Sequence, residues 1–124
     1  MNERRIKVFI VEDESFIARC ICKDLMDLGA DTLAPVPRGE VAVEIALREK
    51  PDLILMDIRL AGGMDGIEAA QLIQEKERIP IVFMSGFATD YIKKKAEVVH
   101  YLEFFEKPVT IHQLEKILSY FRNN

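Results

Sequence analysis

The sequence predicts one α/β domain over residues 1–124, a doubly wound five-stranded parallel sheet with five helices. Three observations lead there. Short apolar runs alternate five times with amphipathic stretches, the rhythm of βαβ units with helices on both faces of a parallel sheet. The 124 residues are 49% apolar, enough for one substantial core and too few for a second domain. No internal repeat, low-complexity segment or linker breaks the pattern.

The first strand is Lys7 to Val11. A helix follows from about Ser15 to Leu28, with Ile17, Ile21, Leu25 and Leu28 on one stripe, and Gly29 stops it. The second strand, about Thr32 to Val36, contains Pro35, which cannot donate to a ladder, so this strand belongs at a sheet edge or a bulge. Helix two spans about Gly39 to Glu49 and is stopped by Pro51. Strand three, Leu53 to Asp57, is apolar on both faces and therefore central. Gly62 and Gly63 loosen the loop into helix three, Gly66 to about Glu77, which opens on a capping-box pattern of Asp65 and Glu68. Strand four is Ile81 to Ser85. Helix four, Thr89 to Val98, has a thin apolar stripe and carries Lys93, Lys94 and Lys95 together. Strand five is about Tyr101 to Glu106. The last helix starts at a second capping box, Thr110 with Gln113, and turns Ile111, Leu114, Ile117, Leu118 and Phe121 inward.

The formal net charge is −4, which argues against direct nucleic-acid binding and suits small cations and basic partners. Arg4, Arg5 and Lys7 precede an apolar run that breaks at Glu12, too short for a signal peptide. No run is long enough to span a bilayer, so a cytoplasmic protein without membrane contact is expected. Cys20 and Cys22, the only cysteines, point to different helix faces and read as reduced packing residues. Asn123 and Asn124 read as a frayed helix end or the start of a linker.

In an open α/β sheet, ligands bind outside the carboxyl ends of the strands. Strand one ends there in Glu12 and Asp13, strand three in Asp57, strand four in Ser85, and strand five in Glu106 and Lys107. Three carboxylates at one edge repel strongly unless a positive charge neutralises them, and a hard divalent cation does so with oxygen ligands. Mg2+, or another such as Mn2+, would take Asp13 and Asp57 directly, Glu12 through water, and the backbone carbonyl of Arg59. A free oxygen of Asp57 would then attack a phosphoryl group in line and form an acyl phosphate. Lys107 would hold one phosphate oxygen as a point charge and the Ser85 hydroxyl would donate to another. Taken singly, each of these residues is also an ordinary polar loop start, and Ser85 before Gly86 is also simple turn chemistry. Their agreement on one corner favours the functional reading.

These residues resemble the receiver domains of bacterial and archaeal two-component signalling, over nearly the whole chain. Val11-Glu12-Asp13-Glu14 is similar to the family's acidic pair, and Met56-Asp57-Ile58 to its phosphoacceptor strand. Met64-Asp65-Gly66 is similar to the loop into helix three, Met84-Ser85-Gly86 to the hydroxyl position, and Glu106-Lys107-Pro108 to the lysine and proline. The resemblance, to a single-domain receiver of the chemotaxis-regulator kind, implies a flavodoxin-like strand order 2-1-3-4-5 and a cis bond between Lys107 and Pro108. It implies that Ser85 and Phe104 act as the switch, although Phe104 alone would read as a packed aromatic. It implies a histidine kinase or histidine phosphotransfer protein as phosphodonor, docking near the metal site and helix one. Output would pass through helix four, strand five and helix five to a downstream protein or into self-association, with a phosphorelay as a further route. Such a domain is a stoichiometric phosphoacceptor that assists its own phosphotransfer and slow dephosphorylation, and not an enzyme in the turnover sense. Lys93 to Lys95 and Tyr101 lie near the output surface, where the lysines face an acidic partner or merely solvent.

Two departures stand out. The segment Leu60 to Gly66 is one residue longer than the commonest family pattern. Arg59 and Phe87, each two residues past a site residue, occupy positions that influence acyl-phosphate hydrolysis in the family, and Phe87 cannot orient water by hydrogen bonding.

Rival readings stay in view. A flavin phosphate would meet Glu12, Asp13 and Glu14 where glycines and hydroxyls are needed. A metal-dependent phosphohydrolase would usually carry a second acid two residues after its nucleophile, where this chain has Ser15 or Arg59. No G-x-x-x-x-G-K-S/T occurs, which removes a Walker-type NTPase. A receiver-like scaffold that works without phosphorylation is the last alternative.

Overall fold

The computed structural model describes residues 5–122. Arg4, Asn123 and Asn124, read above from the sequence, lie outside them. Five strands form one parallel sheet: β1 (Lys7–Val11), β2 (Asp31–Thr32), β3 (Leu53–Asp57), β4 (Ile81–Ser85) and β5 (Glu103–Glu106). Between and after them run α1 (Ser15–Asp27), α2 (Gly39–Glu49), α3 (Gly66–Gln74), α4 (Asp90–Ala96) and α5 (Ile111–Arg122). The spatial order is β2-β1-β3-β4-β5, with every ladder parallel, as expected.

The alternation of side chains along each strand builds two cores, one on each face. Val8, Ile10, Leu53, Leu55, Val82, Met84 and Phe105 pack against Ile21, Leu25, Leu114, Ile117 and Leu118 of α1 and α5. Phe9, Val11, Ile54, Met56, Ile81 and Phe83 pack on the other face against Ala42 and Ala46 of α2, Ala70 and Ile73 of α3, and Ala96 of α4. β3 and β4 are buried along their whole length. Ile17, Leu28 and Phe121 are only partly buried against the first core. Ile111, expected inside, is 42% exposed, because it opens the first turn of α5 before the helix reaches the sheet.

Several boundaries differ from the sequence reading. β2 is a two-residue edge strand and Pro35 lies beyond it. A ring without an N–H interrupts the ladder, and pairing resumes only as a single bridge between Val11 and Val36. α3 stops at Gln74 instead of about Glu77, and α4 is confined to Asp90–Ala96 with the Thr89 hydroxyl capping it at 3.2 Å from the Ile92 N–H. β5 begins at Glu103, so Tyr101 and Leu102 precede it, although the Leu102 N–H still reaches the Ile81 carbonyl at 2.8 Å. α1 ends at Asp27, with Leu28 as its cap and Gly29 in the left-handed region (φ 94°). α2 ends where Lys50 itself turns left-handed (φ 48°) ahead of Pro51. Cys22 is buried, but Cys20 on the other helix face is exposed, which corrects its reading as a packing residue; both are free thiols.

Both capping boxes form. Asp65 Oδ1 accepts from the Glu68 N–H at 2.8 Å while Glu68 Oε1 accepts from the Asp65 N–H at 2.9 Å. Gln113 Oε1 likewise accepts from the Thr110 N–H at 2.9 Å, and Thr110 Oγ1 from the Gln113 N–H at 3.2 Å. The Lys107–Pro108 bond is cis.

Helix α3 starts directly behind β3. The Gly66 N–H donates to the Ile58 carbonyl at 2.8 Å, and a Cβ on Gly66 would lie 2.0 Å from the Asp57 carbonyl oxygen. Only glycine lets the two backbones approach this closely. Gly66→Ala is expected to lower unfolding stability by about 3 kcal/mol, at the upper end for overpacking because the obstacle is backbone. A urea titration with an unchanged midpoint would show that the approach relaxes at no cost.

Candidate functional site

Parallel strands end on the same edge, so β1, β3, β4 and β5 deliver their last residues to one corner. Ladder bonds continue past the strands and hold those residues. The Glu12 N–H donates to the Val36 carbonyl at 3.0 Å, the Ile58 N–H to the Met84 carbonyl at 3.1 Å, and the Lys107 N–H to the Ser85 carbonyl at 2.9 Å. The bridge that resumes after Pro35 thus positions Glu12.

Glu12, Asp57 and Ser85 are the buried polar residues among those described, at 2%, 3% and 2% exposure. Asp13 is exposed beside them, and one carboxylate oxygen each from Glu12, Asp13 and Asp57 lie within 4.8 Å of one another. Lys107 reaches between the two buried acids. Its Nζ donates to Asp57 Oδ2 at 2.9 Å and stands 2.8 Å from Glu12 Oε1. The second approach is close enough for an ion pair but poorly aligned for a hydrogen bond, so Glu12 Oε1 is buried without a directed donor. Glu12 Oε2 accepts from the Glu14 N–H at 3.1 Å, and Asp57 Oδ1 from the Arg59 N–H at 3.2 Å. Ser85 Oγ accepts from the Phe87 N–H at 3.0 Å.

Burial pushes the Glu12 carboxyl up to about 7, and the Asp57 charge adds to this against the pull of Lys107 and the Glu14 N–H. Burial also works against the Lys107 ammonium, but the hydrogen bonds and charges of Glu12 and Asp57 outweigh it and hold its pKa above the ordinary lysine value. One ammonium therefore faces three acids. The Glu12 oxygen that lacks a directed donor, the Asp57 carboxylate held by Lys107 and the Arg59 N–H, and a third carboxylate at the mouth form an all-oxygen set that fits a hard divalent cation. Glu106 is exposed and takes no part in this cluster.

The corner opens into a cleft of about 790 Å3 that runs from Asp57, Lys107 and Gly86 along α1, past Phe16, Ile17 and Cys20 to Asp24. The sequence reading placed a partner near this helix but missed the residues. Phe16 sits off the apolar stripe of α1 and is exposed, and that misplaced aromatic in the first turn was the available signal. Phe104 lies partly buried on the far side of the sheet, its ring centroid 6.1 Å from both Phe83 and Tyr101.

Doubly wound topology with acids, a lysine and a hydroxyl on its carboxyl edge defines a class of α/β proteins whose site lies at the carboxyl ends of the strands. The family model of the response regulator receiver domain matches residues 8–119, and the chain belongs to that family, the phosphoacceptor domains of two-component signalling. The transcriptional regulatory protein PdtaR of Mycobacterium tuberculosis H37Rv is 32% identical over 108 residues, covering 87% of this chain and 52% of PdtaR. The chain thus spans about half the length of that relative. The signal receiver domain of a modulated diguanylate cyclase from Desulfovibrio desulfuricans G20 superposes with a TM-score of 0.87 at 31% identity, covering 94% of this chain and 93% of that one. The receiver domain of the sensor histidine kinase PA1611 from Pseudomonas aeruginosa PAO1, with a magnesium ion coordinated in its active-site cleft, gives a TM-score of 0.85 at 27% identity over 98% of this chain and 100% of that one. Among the described residues, no helix is long and apolar enough to cross a membrane.

Removing the ammonium would strand both buried acids. Lys107→Met is expected to destabilise the metal-free protein by about 2–3 kcal/mol, less than the full penalty for breaking a buried pair because the cleft admits water. Adding Glu12→Gln should recover part of the loss. A double variant no more stable than Lys107→Met alone, in chemical denaturation, would contradict the shared-counterion picture.

Proposed function

We propose that this chain is a phosphorylation switch that takes a phosphoryl group from a phosphohistidine onto Asp57. The observation that carries this reading is Lys107 Nζ held 2.9 Å from a buried Asp57 oxygen, with Glu12 and Asp13 alongside. Asp13 and Asp57 would hold Mg2+, or Mn2+, directly, with Glu12 through water and the Arg59 backbone carbonyl. That cation supplies neutralising charge for the acids and for the incoming phosphoryl oxygens.

The chain's own residues do the rest. Asp57 is fixed by the Lys107 ammonium on Oδ2 and the Arg59 N–H on Oδ1, which leaves it no freedom to swing away from an incoming group. Its carboxylate attacks phosphorus, the bond from phosphorus to the donor imidazole nitrogen breaks, and the electron pair returns to the imidazole. Lys107 follows the negative charge onto a phosphoryl oxygen. The Ser85 hydroxyl donates to another, and Phe104 shifts into the space behind it.

The donor is a histidine kinase or a histidine phosphotransfer protein, seated along α1 where Phe16 and the cleft offer apolar surface. The changed surface of α4, β5 and α5 then engages a downstream protein or a second copy. The acidic balance of the chain fits protein partners in the cytoplasm better than nucleic acid or membrane.

Incubation with acetyl phosphate and Mg2+ is expected to add one phosphoryl group by intact mass, with no addition in EDTA or in Asp57→Asn. No mass gain in the wild type would leave the phosphorylation-independent scaffold. Release of many equivalents of phosphate per chain would favour the phosphohydrolase.

Phe87→Glu places an acceptor beside the acyl phosphate that can align water. It is expected to shorten the lifetime of the phosphorylated form several-fold. Equal decay rates for wild type and variant, followed by intact mass, would reject that role for position 87.

A further inference from the structure

The side chain of Gln74, the last residue of α3, is bonded to both backbone groups of a residue 26 positions away. Its Nε2 donates to the His100 carbonyl at 2.8 Å, and its Oε1 accepts from the His100 N–H at 3.0 Å. Nε2 also donates, at a longer 3.4 Å, to the Ile79 carbonyl in the loop before β4. A carboxamide offers donors and an acceptor at one tip, so a single side chain does for His100 what a neighbouring strand would do.

His100 stands between the end of α4 and the start of β5. Packing does not hold it, since it is exposed and borders a cavity of about 410 Å3 lined also by Gln74, Arg78, Pro80 and Leu102. The hydrogen bonds do. On either side of the clamp, Val99 is buried in the second core and the Leu102 N–H donates to the Ile81 carbonyl at 2.8 Å. The other end of α4 is tied differently. Thr89 caps the helix from within, and two residues earlier the Phe87 N–H donates to Ser85 Oγ at 3.0 Å. That acceptor belongs to the site itself, so a displacement of the Ser85 hydroxyl reaches the amino end of α4 first.

We infer that Gln74 is a positioning residue that pins the carboxyl end of α4, so that the helix swings from its amino end about His100. This rests on the phosphoacceptor reading of Asp57, in which Ser85 turns toward a phosphoryl oxygen. The pin makes the response directional: residues 86–93 move while the entry to β5 stays in register with β4. Without the clamp, the chain around His100 has the cavity to move into, and the displacement spreads to the start of β5.

Gln74→Met keeps side-chain length and helix propensity but removes every bond of the clamp, whereas Gln74→Glu keeps an acceptor and loses the donor. Amide exchange at His100, followed by NMR on the full chain, is expected to be about tenfold faster in Gln74→Met than in the wild type, with Gln74→Glu in between. Beryllofluoride with Mg2+ then serves as a stand-in for the phosphoryl group. In the wild type it is expected to shift the amide resonances of residues 86–93 and leave those of residues 99–102 nearly in place. In Gln74→Met the shifts should extend through residues 99–102, a redistribution that a merely stabilising side chain would not cause. Equal His100 exchange in wild type and Gln74→Met, or the same distribution of shifts in both, would overturn the pin. Resonances around Asp57 that do not respond in the wild type would overturn the phosphoacceptor reading and the swing with it, and the exchange at His100 would still show whether the clamp holds that end of α4.

Discussion

Two carboxylates are buried side by side with a single ammonium between them, and the rest of the structure is arranged around that imbalance. At an effective dielectric near 20, like charges at the 4.8 Å limit of the cluster repel by about 3–4 kcal/mol, while Lys107 attracts each buried acid by about 6 kcal/mol. The lysine thus more than offsets the mutual repulsion of Glu12 and Asp57. Asp13, at the mouth, is left over. Desolvation of Glu12 is the other uncompensated cost, visible in its raised pKa and in an oxygen without an aligned donor. The corner is consequently stable enough to exist and negative enough to recruit positive charge.

Such a site holds together only on a stiff frame. β3 and β4 are buried throughout, and ladder hydrogen bonds extend beyond the strand ends to Glu12, Ile58 and Lys107. Helix α3 is brought against the backbone of Asp57 through Gly66 and locked at its start by the Asp65–Glu68 box. The nucleophile candidate is therefore held by backbone on one side and by the lysine on the other. The loops after β3 and β4, which carry Arg59 and Phe87, are where solvent reaches it.

Much of this was legible in the sequence because it depends on local rules. The short apolar runs of the strands, the stripe of α1 and both capping boxes are short-range patterns, and each found its place in the structure. Glu12, Asp13, Asp57, Ser85 and Lys107 could be grouped because a parallel sheet puts all its carboxyl ends on one edge. The pairing of Lys107 with Glu12, in contrast, is a contact between β1 and β5, strands that never touch, and no spacing encodes it. Pro35 correctly marked an edge but hid how short β2 would be. α4 was overextended, and Cys20 and Ile111 were placed inside because helical period alone cannot say how wide a stripe the sheet will cover. Phe16 was missed for the related reason that it is a surface feature formed at a helix start.

Strand parity separates chemistry from response. Carrying the period of two one step past the strand ends, Glu12 follows Val8 and Ile10, Asp57 follows Leu53 and Leu55, and Lys107 follows Phe105; all of these face α1 and α5. Ser85 instead follows Ile81 and Phe83 on the opposite face, where Phe104 pairs in register with Phe83 and its ring meets Tyr101. The charged groups and the groove along α1 thus lie on one side of the sheet, and the proposed switch residues on the other. A phosphoryl group at Asp57 would draw on Ser85 from across the edge of the sheet, so the only motion it requires is one that disturbs the α4 side. That side is also the least tied down: α4 has seven residues, of which Ala96 alone is buried. An element held by so little apolar contact can be re-seated by a small change in its neighbours, whereas α1 and α5, packed through Leu25, Leu114 and Leu118, would stay in place beneath the donor.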